Sequence, residues 1–291
     1  MDKIKLEEKG RVLKKILGAE AAWFTSFDIS VCGSCNRRCS FCPRANTRLF
    51  TNKPEYLTLG LLKKVLEELR SIGYESRLSF SGFSEPFLHK DLVAMIKMVR
   101  EYLPTVTFTV ITNGDLLNPM LLKECFRQGL SHMKISLYDG EHQIAHFKKM
   151  KAEADLNDQQ VEARVRYVTG DLLDYSTIPG FFLSNRAGAL KDDKNFPELK
   201  EPLKRPCYYP FYMLMLDYNG DVLLCPHDWH KKLILGNLND ISLRQVWTSA
   251  GIIKVRRTLT QNSRGFHPCD ECSIDGTFKG EEAFGIWKKC L

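Results

Sequence analysis

Cys35-Asn-Arg-Arg-Cys39-Ser-Phe-Cys42 places three thiols within eight residues, shortly after the apolar run Phe27-Asp-Ile-Ser-Val31. The run reads as a strand, so the thiols fall on one loop at its C-terminal end. Three thiolates on a short loop can hold three corners of a cubane iron-sulfur cluster and leave the fourth iron open to a ligand. Cys32 stands three residues before Cys35. The same segment therefore also offers four thiolates for a closed zinc shell.

On either side of this loop, from 27 to 185, short β-branched runs alternate with longer amphipathic ones. Strands are expected at 27–31, 77–81, 106–111, 133–137, 161–168 and 181–184. Helices are expected at 59–69, 91–103 and 119–130. In the first helix Leu61, Leu62, Val65, Leu66 and Leu69 share a face, with Thr58 placed to cap it. The alternation implies an α/β fold with a parallel sheet and right-handed crossovers. Chemistry then belongs at the C-terminal strand ends, where the cysteine loop lies. Periodicity alone leaves a partial barrel and a doubly wound sheet both open. After Gly188 a polar stretch over 191–195 leads into a Pro- and Cys-bearing region without βα rhythm. We expect a core domain over 1–185, with 1–25 as an N-terminal helical extension, and a smaller α+β domain over 186–291. Within the latter, 213–225 reads as a hairpin turning at Asn219-Gly220.

The C-x3-C-x2-C spacing, with Phe41 before the last cysteine, resembles the radical S-adenosylmethionine (radical SAM) superfamily. The resemblance implies a partial (β/α)6 barrel and a 4Fe-4S cluster on Cys35, Cys39 and Cys42. It further implies S-adenosylmethionine chelated at the open iron and cleaved reductively to a 5′-deoxyadenosyl radical. Ser81-Gly82-Phe83-Ser84-Glu85-Pro86 resembles the family's Gly-Gly-Glu-type motif, which makes Gly82 and Glu85 candidates for the methionine amino group. The sequence departs from the Gly-rich form at Phe83 and Ser84. Thr112-Asn113-Gly114 and Ser136 end the next two strands as the family's cofactor contacts do, and Phe41 joins Asn113 and Ser136 in that expected cofactor set. Arg164 and Arg166, two apart on the fifth expected strand, share one face. They are candidate catalytic or substrate-gripping residues if that face lines the barrel, and a solvent-facing pair if it does not. Arg186, in Ser184-Asn-Arg-Ala-Gly188, is similarly placed.

A second cysteine group follows. Cys207, Gly220 and Cys225 fit the opening half of the family's SPASM module, and Cys269-x2-Cys272 supplies two more thiols. Four ligands suffice for one closed auxiliary 4Fe-4S cluster, the truncated layout called a twitch domain. A zinc ribbon is the alternative for this half. His227 and His230 are expected at the surface. The layout resembles aminocyclitol dehydrogenases and epimerases, which implies dehydrogenation or epimerisation of a small sugar- or aminocyclitol-like substrate. Modification of a ribosomal peptide, and a non-catalytic zinc module, are the other readings. Epimerisation needs a hydrogen-atom donor. Of the spare thiols, Cys125 reads as a small core residue, and Cys290 is the expected donor.

The composition narrows the setting. The chain has 291 residues with 44% apolar content, and no run of eighteen apolar residues, so no membrane partner is expected. Its first ten residues mix both charges and lack a signal-peptide core. A cytoplasmic location is expected, where clustered thiols bind metal sooner than they form disulfides. The net charge of +7 is spread, with no basic run of five, which suits a polar or anionic small molecule better than nucleic acid. A reducing partner such as flavodoxin or ferredoxin is also expected.

Overall fold

The computed structural model describes residues 24–167, 183–190, 196 and 198–291. Most of the expected helical extension over 1–25 therefore lies outside the described residues. Five strands, β1 (Ser26–Ile29), β2 (Arg77–Phe80), β3 (Thr107–Thr112), β4 (His132–Leu137) and β5 (Val161–Val165), pair in parallel in the order β5-β4-β3-β2-β1. Helices α1 (Leu59–Ser71), α2 (Leu92–Tyr102), α3 (Pro119–Arg127) and α4 (His142–Glu153) make the crossovers.

Local chemistry sets the helix limits. The Thr58 side chain accepts a hydrogen bond from Leu61 N, and the Asn118 side chain accepts from Leu121 N with Pro119 at the first position. The third helix stops short of 130 because Gly129 takes a left-handed φ of +100°, and an added Cβ there would meet Arg100 at 2.4 Å.

The strands alternate strictly. Phe27, Ile29, Leu78, Phe80, Phe108, Val110, Met133 and Ile135 are buried in one core with the apolar helix faces. Asp28, Ser136, Glu162, Arg164 and Arg166 line a cavity on the other side. A parallel sheet covered on both faces reads as continuous apolar runs. Alternation here marks a sheet with one face left to a polar lumen, the partial-barrel form of the two expected.

The C-terminal half continues the same sheet. β6 (Met213–Leu216) pairs in parallel with β1, Ser26 opposite Met213 through Ile29 opposite Leu216, and β7 (Asp221–Leu223) and β8 (Ile234–Asn237) follow antiparallel. The β6–β7 hairpin turns through Gly220, whose φ is +97°. Helices α5 (Tyr209–Tyr212), α6 (Leu243–Trp247), α7 (Ala250–Thr260) and α8 (Glu281–Cys290) complete this half. Trp247 and Trp287 belong to the same core as the strands, and Trp247 meets Phe24 edge-on at 5.3 Å. The expected sixth strand falls partly outside the described residues, and Leu183 and Ser184 have no strand structure.

Candidate active site

Two joined cavities occupy the polar side of the sheet. The first, of about 190 Å³, is lined by Cys35, Cys39, Cys42, Phe41, Gly82, Glu85, Asn113 and Ser136, so the expected cluster thiols and cofactor residues are brought together. Burial pushes the Cys39 thiol up to about 12, and the neighbouring Cys42 and Cys35 add to the rise. Bound cationic iron relieves that cost, so the donor set fits a cluster. Cys32 faces away: it is fully buried, and its Sγ reaches the backbone oxygens of Ser34 and Glu85 at 3.4 and 3.3 Å.

Glu85 is the best-held carboxylate of this cavity. Oε1 accepts from Thr112 Oγ1 at 2.6 Å and Phe87 N at 3.1 Å, and Oε2 accepts from Asn113 N at 2.8 Å. Burial nevertheless raises its pKa to about 7. Oε2 keeps acceptor capacity for an ammonium, which would favour the ionised form. The side chain of Asn113 is committed elsewhere, with Nδ2 donating to Asn36 Oδ1 at 2.7 Å and Oδ1 accepting from Asp115 N at 3.0 Å. Gly82 has φ +107°, and a Cβ there would stand 2.5 Å from Met215 Cε. The left-handed backbone therefore favours glycine there independently of any ligand, whereas the flexible Met215 tip can shift aside.

Side chains that the sequence reading passed over fasten the loop. Arg37 forks onto Asp115, at 2.7 and 2.5 Å, and onto Asp139, at 2.7 Å twice. Asp139 and then Asp115 hold the guanidinium pKa well above its usual value. Arg44 Nε donates to Phe83 O at 2.5 Å and Nη2 to Gly33 O at 3.0 Å. Asn52 brackets Cys35, accepting from its N at 3.1 Å and donating to its O at 2.9 Å. The one signal for the Arg37 clamp was an aspartate just past each of two successive strand ends, Asn-Gly-Asp115 and Leu-Tyr-Asp139. Phe41 stacks on Tyr138 at 5.9 Å.

The second cavity, of about 850 Å³, is the lumen. Phe41, Ile111, Ser136, Tyr138 and Arg186 line both cavities, and Arg164 and Arg166 line the lumen alone. Arg164 Nε donates to Glu162 Oε1 at 2.7 Å. His227 also lines the lumen. Expected at the surface, it is 4% exposed, bonded to Ser184 Oγ at 3.1 Å and packed on Tyr209, and burial lowers its pKa to about 3. His230 is exposed, as expected.

Behind the far wall lie Cys207, Cys225, Cys269 and Cys272, none more than 8% exposed. Cys207, Cys225 and Cys269 each feel the charge of others in the set, and burial raises all four thiols, Cys207 to about 11. Arg264, 1% exposed, donates to the carbonyls of Ile274, Pro206, Asp275 and Arg205 beside them. No three His, Cys, Asp or Glu side chains among the described residues gather closely enough for a single metal ion. Four thiols on one zinc stand only about 3.8 Å apart, given tetrahedral bonds of about 2.3 Å. In a cubane each thiol has its own iron and the set is wider, and four buried thiols are a donor set that such a closed cluster takes. Gly276 forms the wall between: a Cβ there would lie 2.6 Å from Cys207 Sγ.

Cys290 lines neither cavity. Its Sγ donates to Ile286 O at 3.1 Å within α8, which turns Phe284 and Trp287 into the core. This placement does not support it as a hydrogen donor.

Residues 29–163 match the radical SAM superfamily model, and 207–273, a span that holds all four auxiliary cysteines, match the SPASM iron-sulfur cluster-binding domain. The chain is a radical SAM enzyme with a SPASM domain. Such an enzyme uses a 4Fe-4S cluster with S-adenosylmethionine and an auxiliary iron-sulfur site. The chain is 27% identical over 252 residues, 86% of its length and 93% of the other's, to the S-adenosyl-L-methionine-dependent 2-deoxy-scyllo-inosamine dehydrogenase of Niallia circulans. It is 30% identical over 109 residues, 38% of the chain, to the GTP 3′,8-cyclase of Clostridium perfringens, spanning only 33% of that protein. The fold matches BtrN crystallised with AdoMet and 2-DOIA, with a TM-score of 0.72 at 24% identity, covering 89% of this chain and 96% of that one. No helix among the described residues is long and apolar enough to cross a membrane.

Proposed function

We propose that this radical SAM enzyme dehydrogenates a carbon bearing a hydroxyl or amine in a small polyol-like molecule, with Cys35, Cys39 and Cys42 holding the first cluster and Cys207, Cys225, Cys269 and Cys272 the auxiliary one. The observation that carries the reading is the continuity of the two cavities through Phe41, Ile111, Ser136, Tyr138 and Arg186, with the buried auxiliary thiols behind the lumen wall. The full-length likeness to a dehydrogenase of an inosamine supports a substrate of this kind.

When bound, the first cluster and S-adenosylmethionine supply a 5′-deoxyadenosyl radical that takes a substrate hydrogen atom, and the auxiliary cluster supplies an acceptor for the electron left behind. The protein's own part is to bind and orient. Glu85 accepts the methionine ammonium, and Asn113 holds the loop through Asn36 while its backbone N fixes Glu85. Ser136, at the junction of the cavities, offers a hydroxyl to the ribose. Arg164 and Arg166 face the substrate, where a guanidinium would favour loss of the hydroxyl proton to solvent as negative charge develops on its oxygen. Dehydrogenation is preferred to epimerisation because Cys290 is not at the site. The division at 185/186 belongs to this proposal, with the 183–190 segment as the joint that carries Arg186. So do a cytoplasmic setting and a reductant such as flavodoxin or ferredoxin.

Anaerobic reconstitution should give about eight irons per chain, and reduction with S-adenosylmethionine should release 5′-deoxyadenosine. Replacing Cys35, Cys39 and Cys42 together with alanine should abolish that release while leaving about four irons. Release that survives the triple substitution would overturn the reading.

A further inference from the structure

We infer that Arg44 sets the reduction potential of the first cluster: its guanidinium, buried in the cluster loop without a carboxylate partner, is the fixed positive charge that offsets the electron taken up there. The inference rests on the reading of Cys35, Cys39 and Cys42 as that cluster's ligands. A thiolate-ligated cluster becomes more negative by one charge on reduction, and a desolvated setting opposes the gain. A cation held beside it favours the reduced form.

Two arginines of this loop use their charge differently. Arg37 is matched, because it forks onto Asp115 and Asp139. Arg44 follows Cys42 by two residues, is 8% exposed, and lines the cofactor cavity together with the three thiols. Each of its nitrogens donates to a neutral acceptor: Nε to Phe83 O at 2.5 Å, Nη1 to Asn52 Oδ1 at 2.9 Å and Nη2 to Gly33 O at 3.0 Å. Among the described residues it has no carboxylate partner. Asn52 Oδ1 also accepts from Cys35 N, at 3.1 Å. One amide therefore holds both the guanidinium and the backbone of the first thiol.

Fastening alone does not require this arrangement. Three neutral acceptors ask for donors and not for a charge, and a buried cation without a counter-ion costs more than a neutral donor would. Negative charge on the cluster and its thiolates offsets that cost, and the charge of Arg44 is felt at Cys35 and Cys42. Arg186 acts on Cys42 too, but it also faces Cys272 of the auxiliary set and lines both cavities. Arg44 lines the cofactor cavity and not the lumen. It therefore acts on the first site, where the electron that cleaves the cofactor must arrive.

The test is a mediated redox titration of the reconstituted enzyme, first without and then with S-adenosylmethionine, following the electron paramagnetic resonance signal that the cofactor moves. Arg44→Gln should shift the reduction equilibrium at least tenfold toward the oxidised cluster, about 59 mV for one electron, in both conditions. Arg44→Lys keeps the charge without the fork and should stay within threefold of the unaltered enzyme. If Arg44→Gln takes up no iron, Arg44→Lys is read beside Asn52→Asp, which leaves Arg44 in place at an exposed neighbour and gives it a counter-ion. Asn52→Asp should move the potential in the direction expected of Arg44→Gln, and an unmoved potential would overturn the inference. So would an unmoved potential in Arg44→Gln, or a tenfold shift in Arg44→Lys, which would leave Arg44 as a fastening of the loop alone. A shift confined to the cofactor-bound enzyme would also overturn it, because the charge would then act on the S-adenosylmethionine carboxylate. Failure of the underlying reading looks different: the unaltered enzyme would show no signal that S-adenosylmethionine moves, and the inference would go with it.

Discussion

The two cysteine sets live in opposite surroundings. Cys35, Cys39 and Cys42 stand half-buried on a loop bordering a cavity, whereas Cys207, Cys225, Cys269 and Cys272 are each below one-tenth exposed. Arginine fastens both, in different ways. Arg37 holds the first loop from its rim through charge, gripping two aspartates that remain partly wet. Arg264 holds the second from inside, its donors spread over four backbone carbonyls. A site that must exchange a ligand is clamped at its edge so that its centre stays open, and a site that must stay closed is built around a buried donor.

The sharpest way to break this contrast is Arg264→Met. The side chain keeps much of its volume, but four carbonyls lose their donor in a buried place. Each unsatisfied buried group costs about 1–3 kcal/mol, partly recovered by relaxation and water, so a loss of about 3 kcal/mol or more is expected. The urea midpoint of the apo-protein measures it at unchanged slope. A loss under about 1 kcal/mol would mean that the arginine is not what closes this half.

Gly276→Ala should act next. The new Cβ would press on Cys207 Sγ at 2.6 Å and the backbone has φ +81°, so about 1–3 kcal/mol of strain is expected. The specific sign is in the metal. Reconstituted protein should drop toward about four irons, with the signal that responds to S-adenosylmethionine retained. Loss of both signals together would show that the two sites are not separable.

What was legible in the sequence follows the same line between local and distant. The first three thiols, Glu85 and the strands up to β4 were read from spacings within a few residues, and those strand limits agree within two residues. The Arg37 clamp was not, because its partners lie 78 and 102 residues away and nothing near Arg37 distinguishes it from a solvated loop charge. β6 chose β1 as its partner on the same terms. Its apolar run announced a hairpin and gave no hint that the sheet would continue through it. His227 is buried by Ser184 and Tyr209 from other segments, and Cys290 is placed by where α8 docks, which its distance from the chain end does not encode.

Arg37→Ala should have the smallest effect on stability and the most specific effect on function. The Arg37 side chain is 19% exposed and its partners 27% and 47%, so solvent screens much of the pairing and about 1 kcal/mol is expected. Yet the guanidinium ties the segment between Cys35 and Cys39 to the ends of β3 and β4, the same ends that carry Asn113 and Ser136. Without it Asp115 and Asp139 repel, and the thiols lose their register to the cofactor residues. A weakening of S-adenosylmethionine binding by about tenfold corresponds to about 1.4 kcal/mol of lost preorganisation. Titration of the cofactor-responsive electron paramagnetic resonance signal reads it directly. Arg37→Lys keeps the charge but cannot fork onto two carboxylates, so it should recover stability more than cofactor affinity. If Lys restores both equally, the clamp acts by charge alone and the geometric half of the comparison fails.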